Sequence, residues 1–275
     1  MSNPIFVFEG VRVATLAASA GSVAGYPTLN LQDDRHATMW WSGGVTANQT
    51  FAATFTAAKN IDCCLVAHHN FANLGLTSLD IEVSTNGSDW TQVASLTNFP
   101  DPLYVAFTSV SKAIVRLKFV KGSALSDPPY MGLLYFGTRA DLPLYNNSPE
   151  RGLQGDAVIA ESMSGLRYAS SLRADRESWK IDLGRFKVLD YYNFLRLLRA
   201  VNGMQYPFWF CDMDGNWHFV RFKKNYLPLV GKGNIIFSAR GIEFDEERVG
   251  IAMSLPGNYT VPAPEGSIGE LPPEE

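Results

Sequence analysis

The sequence predicts a mainly β chain. An antiparallel β-sandwich is expected over residues 1–143, a smaller α+β module with one helix over 144–255, and a Pro/Glu-rich tail over 256–275. Three observations lead there. Short apolar segments with strand alternation recur between turn-forming residues through the first half. A single segment, residues 188–201, carries strong helical periodicity. The last twenty residues hold five prolines and four glutamates and few large apolar side chains, too little to order a segment by burial.

At 275 residues the chain accommodates two domains of ~100–200 residues each. Residues 1–143 carry eight Lys/Arg and ten Asp/Glu, residues 144–255 fifteen and thirteen, and the tail four glutamates. Neither folded half has the basic field that nucleic-acid binding needs. No apolar run reaches the ~18–20 residues of a membrane span. The opening MSNPIFVFEG lacks the basic-then-apolar pattern of a signal peptide, so folding in a cytoplasm is expected. Cys63, Cys64 and Cys211 form no C-x-x-C, which points to buried, reduced thiols.

The clearest strand signal is residues 79–93, LDIEVSTNGSDWTQV. Leu79, Ile81 and Val83 alternate with Asp80, Glu82 and Ser84, and Asn86-Gly87 supplies two residues that tolerate positive φ in a tight hairpin. Before it, Phe6, Val11, Val13 and Leu16 suggest one opening strand. In YPTLNLQDDRHATMWWSGG (26–44), Pro27 disfavours helix, Asp33-Asp34 turns the chain, and Trp40-Trp41 precede a Gly-Gly turn. Strands at 51–55 and 61–66 lead to the polar loop His68-His69-Asn70. After the hairpin come strands at 104–107, 113–120 and 131–136.

LPLYNNSP (142–149) interrupts any periodicity and is the expected linker. Beyond it, 157–160, 166–171 and 176–183 have strand character. The helix VLDYYNFLRLLRAV follows, with an apolar stripe of Val188, Tyr191, Leu195 and Leu198, closed by Asn202-Gly203. Strands at 206–212, 217–223 and 233–244 complete the module, the first two joined at Asp214-Gly215.

Within residues 4–142, the Asp33-Asp34 turn before Trp40, the strand ending near His69-Asn70, EVSTNGSDW, VRLKF and an apolar closing strand together resemble a galactose-binding-like, discoidin-type jelly roll. The resemblance implies a jelly-roll β-sandwich, with His69 and Asn70 on a loop surface and Asp33 and Asp34 where some such folds hold a structural calcium ion; the residues equally fit Asn70 holding the turn with His68 packed, and an Asp-rich turn with its own hydrogen bonds and no ion. In the second half, Pro207-Phe208, Asp214-Gly215 and Val220-Arg221-Phe222 resemble the ring-forming hub domain of tailed-phage distal tail and tail-tip proteins. That implies a homo-oligomeric ring, other tail proteins as partners, and a place in a virion tail tip assembled in the host cytoplasm.

Catalysis lacks candidates. Adjacent residues on a strand point to opposite faces, so His68 and His69 do not share one ion, and no third ligand is spaced to help. Glycoside hydrolysis needs two facing carboxyls; Glu9, Asp33, Asp34, Asp80 and Glu82 offer no required pair, and Asp80 and Glu82 are expected to project to solvent. The acidic EFDEE (243–247) suits a solvated strand end or an inter-subunit face. G-x-S-x-G, H-E-x-x-H and P-loop motifs are absent. Sugar recognition instead needs flat rings with a few hydroxyl-binding groups, which Tyr26, Trp40, Trp41, His69, Asn70 and Asn73 supply. A core role for one tryptophan and an inter-module role for the other fit the residues equally. The expectation is therefore a non-enzymatic tail-tip structural protein whose jelly roll touches a host-surface glycan through Trp40, Trp41, His69 and Asn70. The alternative is a stand-alone carbohydrate-binding module.

Overall fold

The computed structural model describes residues 3–33, 38–143, 150–154, 157–161, 167–171, 176–226, 229–230 and 237–247. The first half contains β1 (Ile5–Phe8), β2 (Thr15–Ala18), β3 (Trp40–Trp41), β4 (Thr50–Ala67), β5 (Ser78–Ser84), β6 (Thr91–Leu96), β7 (Leu103–Val120), β8 (Tyr130–Met131) and β9 (Leu133–Asp141). The second half contains β10 (Glu150–Gln154), β11 (Ala157–Glu161), β12 (Arg167–Ser171), β13 (Arg176–Phe186), α1 (Val188–Ala200), β14 (Phe208–Cys211), β15 (Trp217–Phe222), β16 (Leu229–Val230) and β17 (Phe237–Glu246). The mainly β architecture, with one α-helix among the described residues, is as the sequence predicts.

Two strands of 18 residues, β4 and β7, form the frame of the sandwich. Their mutual pairing runs from Thr50↔Lys118 to Val66↔Leu103, with register shifts between Thr54 and Lys59 and between Ile61 and Cys63. The sequence suggests a loop at each midpoint. Instead Lys59 and Asn60 pair with Lys112 and Ser111, so cross-strand bonds carry the polar middles through as extended, bulged chain. On the β4 edge of the frame, β2 pairs with the start of β4 and β9 with its end; on the β7 edge, β5 pairs with the end of β7. Between them Phe51, Ile61, Val66, Phe71, Leu79, Ile81, Val83, Leu117 and Phe119 form a continuous core.

The opening segment divides into β1 and β2, with Val11 buried and Val13 76% exposed in the turn between them. β1 then pairs on one edge with β9 and on the other with β14. The hydrogen-bonded sheet therefore continues across the expected 143/144 boundary, in the order β10-β13-β17-β15-β14-β1-β9-β4-β7-β5-β6. Phe6 and Phe8 join the second-half core with Trp179, Phe208, Phe210 and Phe244, while Val7 joins Leu65, Tyr135, Trp209 and Phe219. Close approach of β1 requires glycine at 137: a Cβ there would lie 2.2 Å from the Phe8 carbonyl oxygen.

Two further expectations are corrected. The 84–91 connection is not a two-residue turn, because among Asn86 and Gly87 only Gly87 takes positive φ, at 78°. Asn86 Oδ1 instead accepts from the backbone N–H groups of Ser88 and Asp89, an Asx-type arrangement that wins over the tight turn. The helix starts at Val188 as predicted, and Asn202 and Gly203 end it with φ of 48° and 68°. Its buried face, however, is Phe194, Leu197 and Val201, leaving Val188 49% and Leu189 68% exposed. Phe194 turns toward Phe186 of β13, 5.7 Å between ring centroids, which rotates the helix away from the stripe drawn from spacing alone. The 256–275 tail lies outside the described residues.

Candidate functional site

β3 and β8 form their own antiparallel ladder, with Trp40 opposite Met131 and Trp41 opposite Tyr130. Alternation sends each adjacent pair to opposite faces. Trp40 and Met131 point inward and are buried; Trp40 meets the Phe51 ring edge-on at 4.7 Å and its indole N–H donates to Ser22 Oγ at 3.0 Å. Trp41 and Tyr130 stay half-buried with ring centroids 5.1 Å apart. Tyr26 brings a third ring, 5.7 Å from Trp41 and inclined at 61°. Its position is held by the Trp41 N–H, which donates to the Tyr26 carbonyl at 3.2 Å.

Asn70 braces this surface from behind. It is 8% exposed, donates through Nδ2 to the Pro128 carbonyl at 3.0 Å, and accepts from the Tyr130 N–H through Oδ1 at 3.0 Å. His69 stacks on Phe71 at 4.2 Å. Its Nδ1 accepts from the Phe71 N–H at 3.2 Å and its Nε2 lies 3.1 Å from the Pro100 carbonyl, where it acts as donor. Burial lowers the His69 pKa against the pull of Asp101, so the ring is neutral. His68 is lowered by burial in the same way, again opposed by Asp101.

Of the four expected sugar contacts, the structure therefore leaves Trp41 on the surface. Trp40 is a core residue, and His69 and Asn70 use their polar atoms to shape the loops. Tyr130 was not among the candidates. Its signal is the preceding Pro128-Pro129, which holds the chain extended, but only the β3–β8 register places it beside Trp41. Asn73 is exposed at the end of the 3-10 turn Phe71–Asn73.

The acidic candidates are committed elsewhere. Asp33 accepts from Thr38 Oγ1 at 2.7 Å, and Asp34 lies outside the described residues. Among the described residues no three His, Cys, Asp or Glu side chains are placed to hold a metal ion. Asp80 and Glu82 are 8% and 7% exposed rather than solvated, because neighbouring strands cover them. Asp80 accepts from Ser78 and Ser95, and Glu82 pairs with Arg116 at 2.5 Å and Lys118 at 3.2 Å. Arg116 also lies over the Trp90 ring at 3.7 Å. Glu9 accepts from Thr138 Oγ1 at 2.9 Å. The 243–247 run forms pairs within the chain: Glu243 with Lys224, Asp245 with Lys223 and Glu247 with Arg221.

A separate groove of about 280 Å³ in the second half is lined by Glu150, Arg151, Ser178, Trp179, Lys180 and Lys223, among others. Its charges are matched, Lys180 to Glu150 at 2.9 Å and Arg151 to Glu177 at 2.5 Å, which leaves no field of one sign for a charged ligand.

Comparison with known proteins reaches the first half of the chain. Residues 16–127 match the model of the F5/8 type C domain. No curated protein matches the chain. Among solved structures, chitosan-binding module 1 from a chitosanase/glucanase of Paenibacillus sp. IK-5 is similar at 18% identity over 47% of this chain and 99% of that one, with a TM-score of 0.40. A Clostridium perfringens module in complex with GalNAc-β-1,3-galactose is similar at 14% identity over 47% and 100%, with a TM-score of 0.40. The family 32 CBM of C. perfringens NanJ, in complex with galactose, is similar at 16% identity over 48% and 98%, with a TM-score of 0.39. Residues 16–127, which include Tyr26, Trp41, His69 and Asn70, are similar to the F5/8 type C domain, in keeping with the jelly-roll β-sandwich of the first half.

Proposed function

We propose that the chain is a non-enzymatic protein that binds a neutral carbohydrate through the Tyr26–Trp41–Tyr130 surface. One observation carries this reading: three aromatic rings, two of them directly paired across β3 and β8, remain accessible where the neighbouring Trp40 is buried. Flat apolar rings suit the C–H faces of a pyranose, and the burial of His69 as a neutral group keeps charge away from the loops beneath. The match of residues 16–127 to the F5/8 type C domain, a fold also seen in sugar-binding modules, supports the same class of ligand.

The setting we propose is a phage tail tip, with the second half building a homo-oligomeric ring alongside other tail proteins and the jelly roll facing the host surface. Its support is the likeness of Pro207-Phe208, Asp214-Gly215 and Val220-Arg221-Phe222 to ring-forming hub domains. Repetition around a ring raises a weak site by ~10²–10⁴ in overall binding when several copies engage together. A glycan array probed with the full chain tests the first part. Retention that is lost in Trp41→Ala supports it, and retention unchanged by Trp41→Ala and Tyr130→Ala together removes it. Light scattering tests the second: a ring-sized particle supports the tail-tip setting, and a monomer at high concentration favours a stand-alone binding module.

A further inference from the structure

His218 stands at a meeting point of four elements in the second half, and its environment is unlike that of the other described histidines. It is 7% exposed. On β15 it pairs directly with Phe210 of β14, with ring centroids 6.2 Å apart, and the Trp179 ring of β13 lies 4.8 Å away. Three carboxylates surround the imidazole. Asp212, at the β14–β15 turn, places Oδ2 3.3 Å from Nε2. Glu177 of β13 places Oε2 3.6 Å from Nδ1, and Glu246 of β17 places Oε1 3.7 Å from the same nitrogen. Among the described residues, the cation that faces this group is Arg151 of β10, which pairs with Glu177 at 2.5 Å and lies over the Trp179 ring at 4.8 Å.

Each carboxylate belongs to a different piece of chain. Asp212 also organises the turn, accepting from the N–H groups of Asp214 and Asn216. Glu246 accepts from the Glu177 N–H at 3.5 Å, so it bridges the β13 and β17 ends as well. A protonated imidazole donates from both ring nitrogens and can satisfy Asp212 on one side and Glu177 or Glu246 on the other. A neutral imidazole has one N–H and donates to one side only, and the three carboxylates around it lose the positive charge at their centre. Burial works against the charged form, but hydrogen bonds to Glu246 and Asp212 outweigh it and hold the His218 pKa above the ordinary value.

We propose that His218 and its three carboxylates form a pH-sensitive clasp, which in the protonated state ties the β14–β15 turn to the ends of β13 and β17 and loosens when the imidazole loses its proton. The clasp lies on the strand pair that carries the sheet into the first half, since Phe210 also packs on Phe6 of β1 at 5.4 Å. It does not depend on the carbohydrate reading.

The sign follows from linkage. The folded pKa is raised above 6.5, so the stabilisation is complete below the unfolded value and is lost as pH rises through the folded one. The test is an NMR titration of the His218 ring in the full chain, together with urea unfolding from pH 6 to 8, on the native protein, His218→Gln and Glu246→Gln. The expected result is a His218 midpoint above that of free histidine, a lower midpoint in Glu246→Gln, and a fall in unfolding midpoint with pH that is absent from His218→Gln. If His218→Gln does not fold, the native and Glu246→Gln titrations decide. A His218 midpoint at or below 6.5, or one unmoved by Glu246→Gln, overturns the clasp.

Discussion

Trp41 and Tyr130 face each other across a two-residue ladder, while Trp40 and Met131, one position over, are fully inside the sandwich. Two adjacent tryptophans therefore have opposite roles, and substitution separates them. Trp40→Ala removes a buried ring and the bond to Ser22, at a cost of ~3–5 kcal/mol in unfolding free energy. Trp41→Ala costs under ~1 kcal/mol, as expected at a position with a free face. Chemical denaturation of the two variants checks the contrast, and equal losses would place both rings in the core.

Asn70 is predicted to act on the surface indirectly. Asn70→Ala removes the acceptor of the Tyr130 N–H bond and the donor to the Pro128 carbonyl, which costs ~1–3 kcal/mol. Its melting temperature falls, and any glycan affinity falls because Tyr130 is no longer held beside Trp41. Unchanged stability in Asn70→Ala would mean that its two hydrogen bonds are replaced by water.

Glu82 ties β5 to β7 through Arg116 and Lys118. Glu82→Gln keeps the shape and removes the charge beside two half-buried cations, so a loss of ~1.5–3 kcal/mol is expected. Arg116→Met, which also removes the cover over Trp90, is expected to cost a similar amount and to add little in combination with Glu82→Gln. Additive losses in the double variant would show that the pair does not act as a unit.

Lys59 supplies a second pH-dependent feature, opposite in sign to the clasp. Burial lowers its pKa from 10.5 to about 8, despite the partly opposing charge of Glu9, while its ammonium donates to the Glu9 carbonyl at 2.8 Å. The unfolded chain therefore binds this proton more tightly than the folded one. The resulting penalty is complete below pH 8 and is relieved as pH rises from about 8 toward 10.5. Unfolding midpoints measured across that window should rise in the native chain and stay flatter in Lys59→Met.

Cleavage within residues 144–149 probes how the halves are joined. Residues 4–142 and the second module were separable by sequence pattern, yet β1 lies between β9 and β14. A chain nicked there should give two bands under denaturing conditions and still co-elute in native gel filtration, because Phe6 and Phe8 stay in the second core. Separation without denaturant would mean that the β1–β14 pairing contributes little.

Local pattern carried much of this fold. Alternation at Leu79, Ile81 and Val83 identified β5 and the face it turns to the core, though not that Asp80 and Glu82 on its other face are buried as well, and Asn202-Gly203 marked the end of α1. What escaped was set by partners distant in sequence. Lys59 and Asn60 look like loop residues until Lys112 and Ser111 pair with them, and Phe194 points inward because Phe186 waits there. The same limit applied at the candidate site. Trp40-Trp41 showed that one ring must differ from the other, but which one faces out depends on the register against residues 130–131. His69 and Asn70 were correctly placed at a loop, while the hydrogen bonds that engage their polar atoms come from residues 100, 128 and 130.

On the proposed function, the Trp41 ring is a sugar platform and the Trp40 ring is not. With glycans selected from an array, the indole N–H signals of uniformly 15N-labelled full chain, assigned through single Trp→Phe variants, follow each ring separately. The Trp41 signal is expected to shift in a saturable way, the Trp40 signal to stay in place, and Trp41→Ala to abolish retention. Saturable binding that leaves the Trp41 signal in place, or an assembled protein that retains no glycan at all, would contradict the proposed function.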